Sequence, residues 1–133
     1  MRRPRFLIEV ASALFSLARI ELMLRRQDLR VVCHALGVVP DLESASPPAT
    51  EPAVLPGWAR TALRACSAVT SRWPAGDTCL RRCLVAGHRL RRLSPVLRIG
   101  VRRDASGLVA HSWLEVDGRT LDPTAAGFAT LGR

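Results

Sequence analysis

Leu108-Val109-Ala110-His111-Ser112-Trp113-Leu114-Glu115-Val116, followed by Asp117-Gly118-Arg119-Thr120-Leu121-Asp122, is the stretch that decides how this chain folds. The first nine residues alternate as a half-buried strand does, and Arg119 to Asp122 begins a partner strand. Asp117-Gly118 between the two runs is a hairpin signal, because a two-residue type I′ turn needs positive φ at both positions. The register then follows by counting: Val116 faces Arg119, Glu115 faces Thr120, Leu114 faces Leu121 and Trp113 faces Asp122. Opposed residues share a sheet face, so Asp122 lies on the face of Trp113 and His111. It is the diagonal neighbour of His111, about 7–8 Å away between backbones and within side-chain reach. The opposite face carries Leu108, Ala110, Leu114, Val116 and Leu121.

Upstream, Val96 to Arg102 reads as one more strand, joined by an Asp104-Ala105-Ser106-Gly107 turn. Before Ser94-Pro95 the periodicity is helical. A helix with Asp77 or Thr78 as N-cap starts at Cys79 and is expected to run to about Leu93. Residues 5–26 form another, with Phe6, Val10, Ala13, Leu14, Leu17 and Leu24 near one face. Leu29 to Val39 is helical until Gly37 and Pro40, and Trp58 to Arg72 carries Trp58, Ala62, Cys66 and Val69 on one side. Asp41 to Pro56 is rich in Ser and Pro and is read as a linker or exposed loop that orders only on binding a partner. The expected class is α+β, N-terminal helices followed by an antiparallel β-meander. The organisation is a helical segment (1–40), the linker (41–56) and a core (57–133) forming one unit with 1–40.

Composition narrows the function. The net charge of +9 comes from 20 basic residues, all Arg. It favours acidic peptides, anionic lipid or phosphate. Nucleic-acid binding is not expected, since the chain has no Tyr, 3 Phe and no recognition motif. The basic, apolar N-terminus imitates a signal peptide, but Glu9, Arg19 and Glu21 interrupt it. An amphipathic docked helix is the expectation, with peripheral membrane contact left open at its basic end. Of the cysteines 33, 66, 79 and 83, the last two are i and i+4 on one helix, poorly placed for a disulfide. There is no CxxC pair and no zinc spacing, so neither a metal nor a cofactor is expected, and a reduced, cytosolic protein is the simplest reading.

Cys79 opens its helix, where backbone N–H groups and the positive end of the dipole favour a thiolate. With His111 as base and Asp122 orienting the ring, it would complete a nucleophilic triad. Structural readings compete with this. Cys is among the most buried residue types, and Cys83, deeper in the helix, is a second candidate nucleophile. His34 and His88 lack a strand and a neighbouring carboxylate and read as surface or partly packed residues. Trp113 reads as sheet packing and Glu115 as a partner for an Arg. Asp117 is accounted for by the turn, and Arg81-Arg82 and Arg89-Arg91-Arg92 read as a solvated face or a dock for an acidic peptide.

These residues resemble the transglutaminase-like superfamily, in which a helix-N-terminal Cys packs against a sheet bearing His and then Asp. More narrowly, the chain resembles the leader peptidases of lasso-peptide biosynthesis. The similarity rests on Thr78-Cys79-Leu80-Arg81-Arg82-Cys83-Leu84, His88-Arg89-Leu90-Arg91-Arg92, Leu97 to Arg103, Ala110 to Arg119, and Ala18-Arg19 in the first helix. It departs at Cys83 and Gly87-His88, at Leu93-Ser94-Pro95 where a Gly is usual, and in having no fused leader-recognition domain. The resemblance implies a transglutaminase-like cysteine-protease core that cleaves the leader from a ribosomal precursor peptide. Its implied partners are a separate leader-recognition protein and a macrolactam cyclase. Two other classes fit the residues: a non-catalytic peptide-binding adaptor, and an acyl transferase that passes the thioester to an amine.

Overall fold

Glu9 and Glu21 set the rotation of the first helix. A computed structural model describes residues 3–42, 46–76 and 78–130. In it α1 (Arg3–Arg26) lies against α3 (Gly57–Thr70) and α4 (Cys79–Arg89). Glu9 pairs with Arg89 at 2.6 Å and Glu21 with Arg81 at 2.9 Å, both arginines on α4. The helix therefore buries Ala13, Leu17 and Ile20, while Leu14, expected on the inner face, is 47% exposed. The same pairs correct the reading of Arg81 and Arg89 as solvated, since each holds α4 to α1.

Helix α2 (Leu29–Leu36) is capped by Asp28, whose Oδ1 accepts the Arg30 N–H at 2.9 Å. It ends at Leu36, where Gly37, a stop read from the sequence, takes a left-handed C-cap. The freed residues form β1 (Val39–Pro40), which pairs in parallel with the start of β2 (Val96–Asp104). The five-stranded sheet is thus mixed and not the purely antiparallel meander expected. Helix α4 ends early. Fully buried Leu90 closes it, and a 3-10 turn, Arg91–Leu93, leads into Ser94-Pro95.

β2 and β3 (Gly107–Val116) pair antiparallel along their whole length, from Val96↔Glu115 to Asp104↔Gly107. Asp117 and Gly118 have φ of 52° and 72°, the two positive values of a type I′ turn. β4 (Arg119–Thr120) pairs in the register counted from the sequence, Glu115↔Thr120 and Val116↔Arg119. β4 stops at Thr120, short of the strand expected to reach Asp122. Pro123 has no N–H to donate to a ladder, and a 3-10 helix, Pro123–Gly127, begins there with Asp122 as N-cap. The chain then returns as β5 (Ala129–Thr130), antiparallel to the far end of β2.

Residues 46–56 are a loop, but a pinned one, contrary to the expectation of disorder. Thr120 N–H donates to Glu51 O and Ala53 N–H to Thr120 O, each at 2.8 Å. Arg98 donates to the carbonyls of Ser46 and Pro47, and Ala49 N–H to Glu115 Oε2 at 3.0 Å. The sheet edge and a buried ion pair satisfy backbone groups that a free loop would leave to water. The main core joins Leu17, Ile20, Val32 and Leu36 to Leu84 and Val85 of α4 and to Leu97 and Leu114 of the sheet. A smaller cluster of Trp113, Ala125 and Phe128 lies beneath the 3-10 helix.

Candidate active site

Thr78 caps α4, its Oγ1 accepting the Arg81 N–H at 3.2 Å, and Cys79 is the first helical residue. Asp77, the other N-cap expected, lies outside the described residues. The first N–H groups of a helix have no intrahelical acceptor, so Cys79 stands at a ready-made cluster of donors. Arg81 fixes this end: its Nε and Nη2 donate to Glu21, each at 2.9 Å, and its Nη1 to Gly76 O at 3.4 Å. The Arg81 hydrogen bond, joined by one from Trp73, holds the Glu21 carboxyl below its ordinary value despite partial burial.

All four cysteines are free thiols, and of these Cys79 alone is not buried. Burial pushes the thiols of Cys66 and Cys83 up to about 12 and that of Cys33 to about 11. Cys83, the second candidate from the sequence, is therefore held as a neutral thiol at any physiological pH.

His111 leans from β3 with its Nε2 2.5 Å from Asp122 Oδ2. The Asp122 carboxylate divides its work. Oδ1 accepts the Thr124 N–H at 3.0 Å and the Thr124 hydroxyl at 2.6 Å, capping the 3-10 helix, while Oδ2 faces the imidazole. Burial raises the Asp122 carboxyl, but the hydrogen bonds from Thr124 and His111 outweigh it and hold the group below its ordinary value. An ionised Asp122 accepts the Nε2 proton, which leaves Nδ1 with the lone pair of a neutral imidazole.

The imidazole is packed as well as bonded. Phe128 lies 4.9 Å from it between ring centroids and Trp113 6.1 Å. Phe128 is held by the Arg102 guanidinium, 4.8 Å above its ring. Room for this comes from Gly100, the cross-strand partner of His111. A Cβ there would stand 2.8 Å from Ala129 O and 3.0 Å from both Phe128 and Trp113. Gly100, Phe128 and Thr124 escaped the sequence reading. A Gly inside a strand was the available signal, since it marks close approach by another group.

Two positions along the same face, Glu115 accepts the Trp113 Nε1–H at 2.9 Å and pairs with Arg98 at 3.3 Å. The expected arginine partner for Glu115 is thus Arg98, and Trp113 packs, as read. His88 Nδ1 meets Leu36 O at 3.0 Å, tying α4 to α2, and His34 is exposed.

Cys79, His111 and Asp122 line one cavity of about 430 Å³, whose walls include Leu63, Ala86 and Leu121. The cavity is large enough for a peptide side chain beside a reacting carbonyl and is mainly apolar, with Ser67, Thr70, Arg82 and Ser112 adding polar groups to those three. Among the described residues no cluster of His, Cys, Asp and Glu could hold a metal ion. Nor is any described helix long and apolar enough to cross a membrane.

The sequence matches the family described as the transglutaminase-like superfamily over residues 11–132. The chain belongs to that superfamily, whose members are generally Cys-His-Asp enzymes, proteases and transferases among them. Membership fits a cysteine peptidase or an acyltransferase. No curated protein and no solved structure matched the chain.

Proposed function

We propose that this protein is a cysteine peptidase that removes the leader from a ribosomally made lasso precursor peptide, with Cys79 as nucleophile, His111 as base and Asp122 orienting the imidazole. The observation that carries the chemistry is the His111–Asp122 hydrogen bond opening on the cavity that also holds the one thiol not buried. His111 Nδ1 takes the thiol proton as Cys79 Sγ attacks the leader–core carbonyl carbon. First-turn N–H groups of α4 stand where the oxyanion develops. The tetrahedral intermediate collapses as the imidazolium protonates the departing amine, which releases the core with a free α-amine. Water, deprotonated by the same imidazole, then hydrolyses the thioester and frees the leader acid. Asp122 holds the ring orientation through both half-reactions and offsets the imidazolium charge.

The narrower substrate reading rests on the resemblance of Thr78 to Leu84 and of Ala110 to Arg119 to lasso leader peptidases. It implies a cytoplasmic enzyme that works with a separate recognition protein and hands its product to a macrolactam cyclase. The test mixes wild type or Cys79→Ala with the precursor peptide and the recognition protein and reads masses. Leader and core masses with wild type alone support the proposal. Cleavage by both proteins removes Cys79 from the mechanism, and a heavier, amine-transferred product makes the enzyme an acyltransferase. Peptide binding without cleavage by either makes it an adaptor.

A further inference from the structure

The outward face of α1 runs against the usual rule for a surface helix. Its two acidic residues, Glu9 and Glu21, point inward to Arg89 and Arg81, while apolar side chains point to water. Phe15 is 76% exposed, Ile8 68%, Leu7 64%, Leu22 56% and Leu14 47%. These five are half of the ten large apolar residues exposed among the described residues. At 100° per residue they fall within one arc of the helix, with Ala11 and Ala18 between them, so the stripe is continuous. From Leu7 to Leu22 it is about 23 Å long. A patch of this kind on a soluble surface marks an interaction site.

Charge identifies the occupant. Every exposed charged side chain described on α1 is an arginine: Arg5 and Arg19 along the stripe, Arg25 and Arg26 at its end. A second copy would bring the same arginines against these, on a protein already at +9. The stripe is also a convex ridge, since α1 lies on α3 and α4 with its opposite side bare. A ridge of Leu, Ile and Phe flanked by arginines suits a surface that is apolar beneath and anionic at its rim. We propose that α1 lies flat in the interface of an anionic lipid bilayer, the apolar stripe sunk below the headgroups and the arginines on the lipid phosphates. The helix that Glu9 and Glu21 clamp to α4 is then a rigid keel, and the cavity beyond α4 stays in water.

The test is co-sedimentation of the full chain with phosphatidylglycerol–phosphatidylcholine vesicles and with phosphatidylcholine vesicles alone. Wild type is expected to bind the anionic vesicles at least roughly tenfold more tightly, because each arginine near the surface adds attraction. Ile8→Ser/Phe15→Ser changes only exposed positions; it is expected to melt at the wild-type temperature and to lose most of that binding. Three results overturn the proposal. One is no sedimentation with anionic vesicles. Another is equal sedimentation of the double variant, which reduces the effect to net charge. The third is a wild-type dimer on gel filtration that the double variant dissociates, which assigns the stripe to a second copy.

Discussion

One face of β3 carries two pairs of opposite character, His111–Asp122 at one end and Arg98–Glu115 at the other, with Trp113 between them. In the first the side chains are 23% and 30% exposed and the pair opens on the cavity. In the second the cation is permanent, the side chains are 5% and 11% exposed, and the carboxylate and guanidinium also hold the backbone of residues 46, 47 and 49. One ionic motif therefore stands as the proposed proton-transfer pair where water reaches it and as a clamp where water does not. Trp113 couples the two, since its indole N–H donates to Glu115 while its ring packs beside His111.

If this division is right, substitutions at the two ends differ in kind. His111→Ala is expected to lower peptidase turnover by about 10²–10⁴-fold and to leave the urea midpoint nearly unchanged. A large loss of stability there would make the pair structural. Glu115→Ala leaves a buried guanidinium unpaired and should cost about 3–5 kcal/mol in urea unfolding, with proteolysis appearing first in residues 46–56. A cost below about 1 kcal/mol would reduce the clamp to the level of a surface salt bridge.

Between the two ends stands Gly100→Ala, whose methyl would press on Ala129, Phe128 and Trp113. It should cost about 1–3 kcal/mol by overpacking and also slow turnover, since the displaced Phe128 is what holds the His111 ring. A stability loss with unchanged turnover would separate Phe128 from the site. The smallest effect is in acid. Asp122 is held below its ordinary value, so its contribution is fully present above about pH 4, the unfolded carboxylate value, and is lost as pH falls through the lowered folded one. The stability gap between wild type and Asp122→Asn should shrink on acidification. A gap that does not vary with pH would mean the carboxylate charge contributes nothing to it.

What could be read from the sequence followed the range over which its rules act. The Asp117-Gly118 turn and the parity of β3 are local, and from them the hydrogen-bonding reach of His111 and Asp122 could be counted. The start of α4 at Cys79 was local too, through its Thr78 cap. Features that depend on tertiary pairing were missed. The face of α1 is chosen by Glu9 and Glu21 meeting arginines about 60 to 80 residues away, which no periodicity reports. β1 needs β2 to exist before Val39-Pro40 can be a strand. The loop at 46–56 looked free by composition and is held by a carboxylate and an arginine far along the chain. The alternation puts Asp122 on the right face but implies a strand there, whereas Pro123 ends the ladder and makes Asp122 an N-cap.

The central claim is that Cys79 is the reactive thiol and that His111 makes it so. The most direct test is alkylation with iodoacetamide at neutral pH, with the label located by mass spectrometry in wild type and in His111→Ala. Label entering at Cys79 ahead of Cys33, Cys66 and Cys83, and entering markedly more slowly in His111→Ala, is the predicted result. Labelling of Cys79 at the same rate in both proteins, or preferential labelling of Cys83, would contradict it.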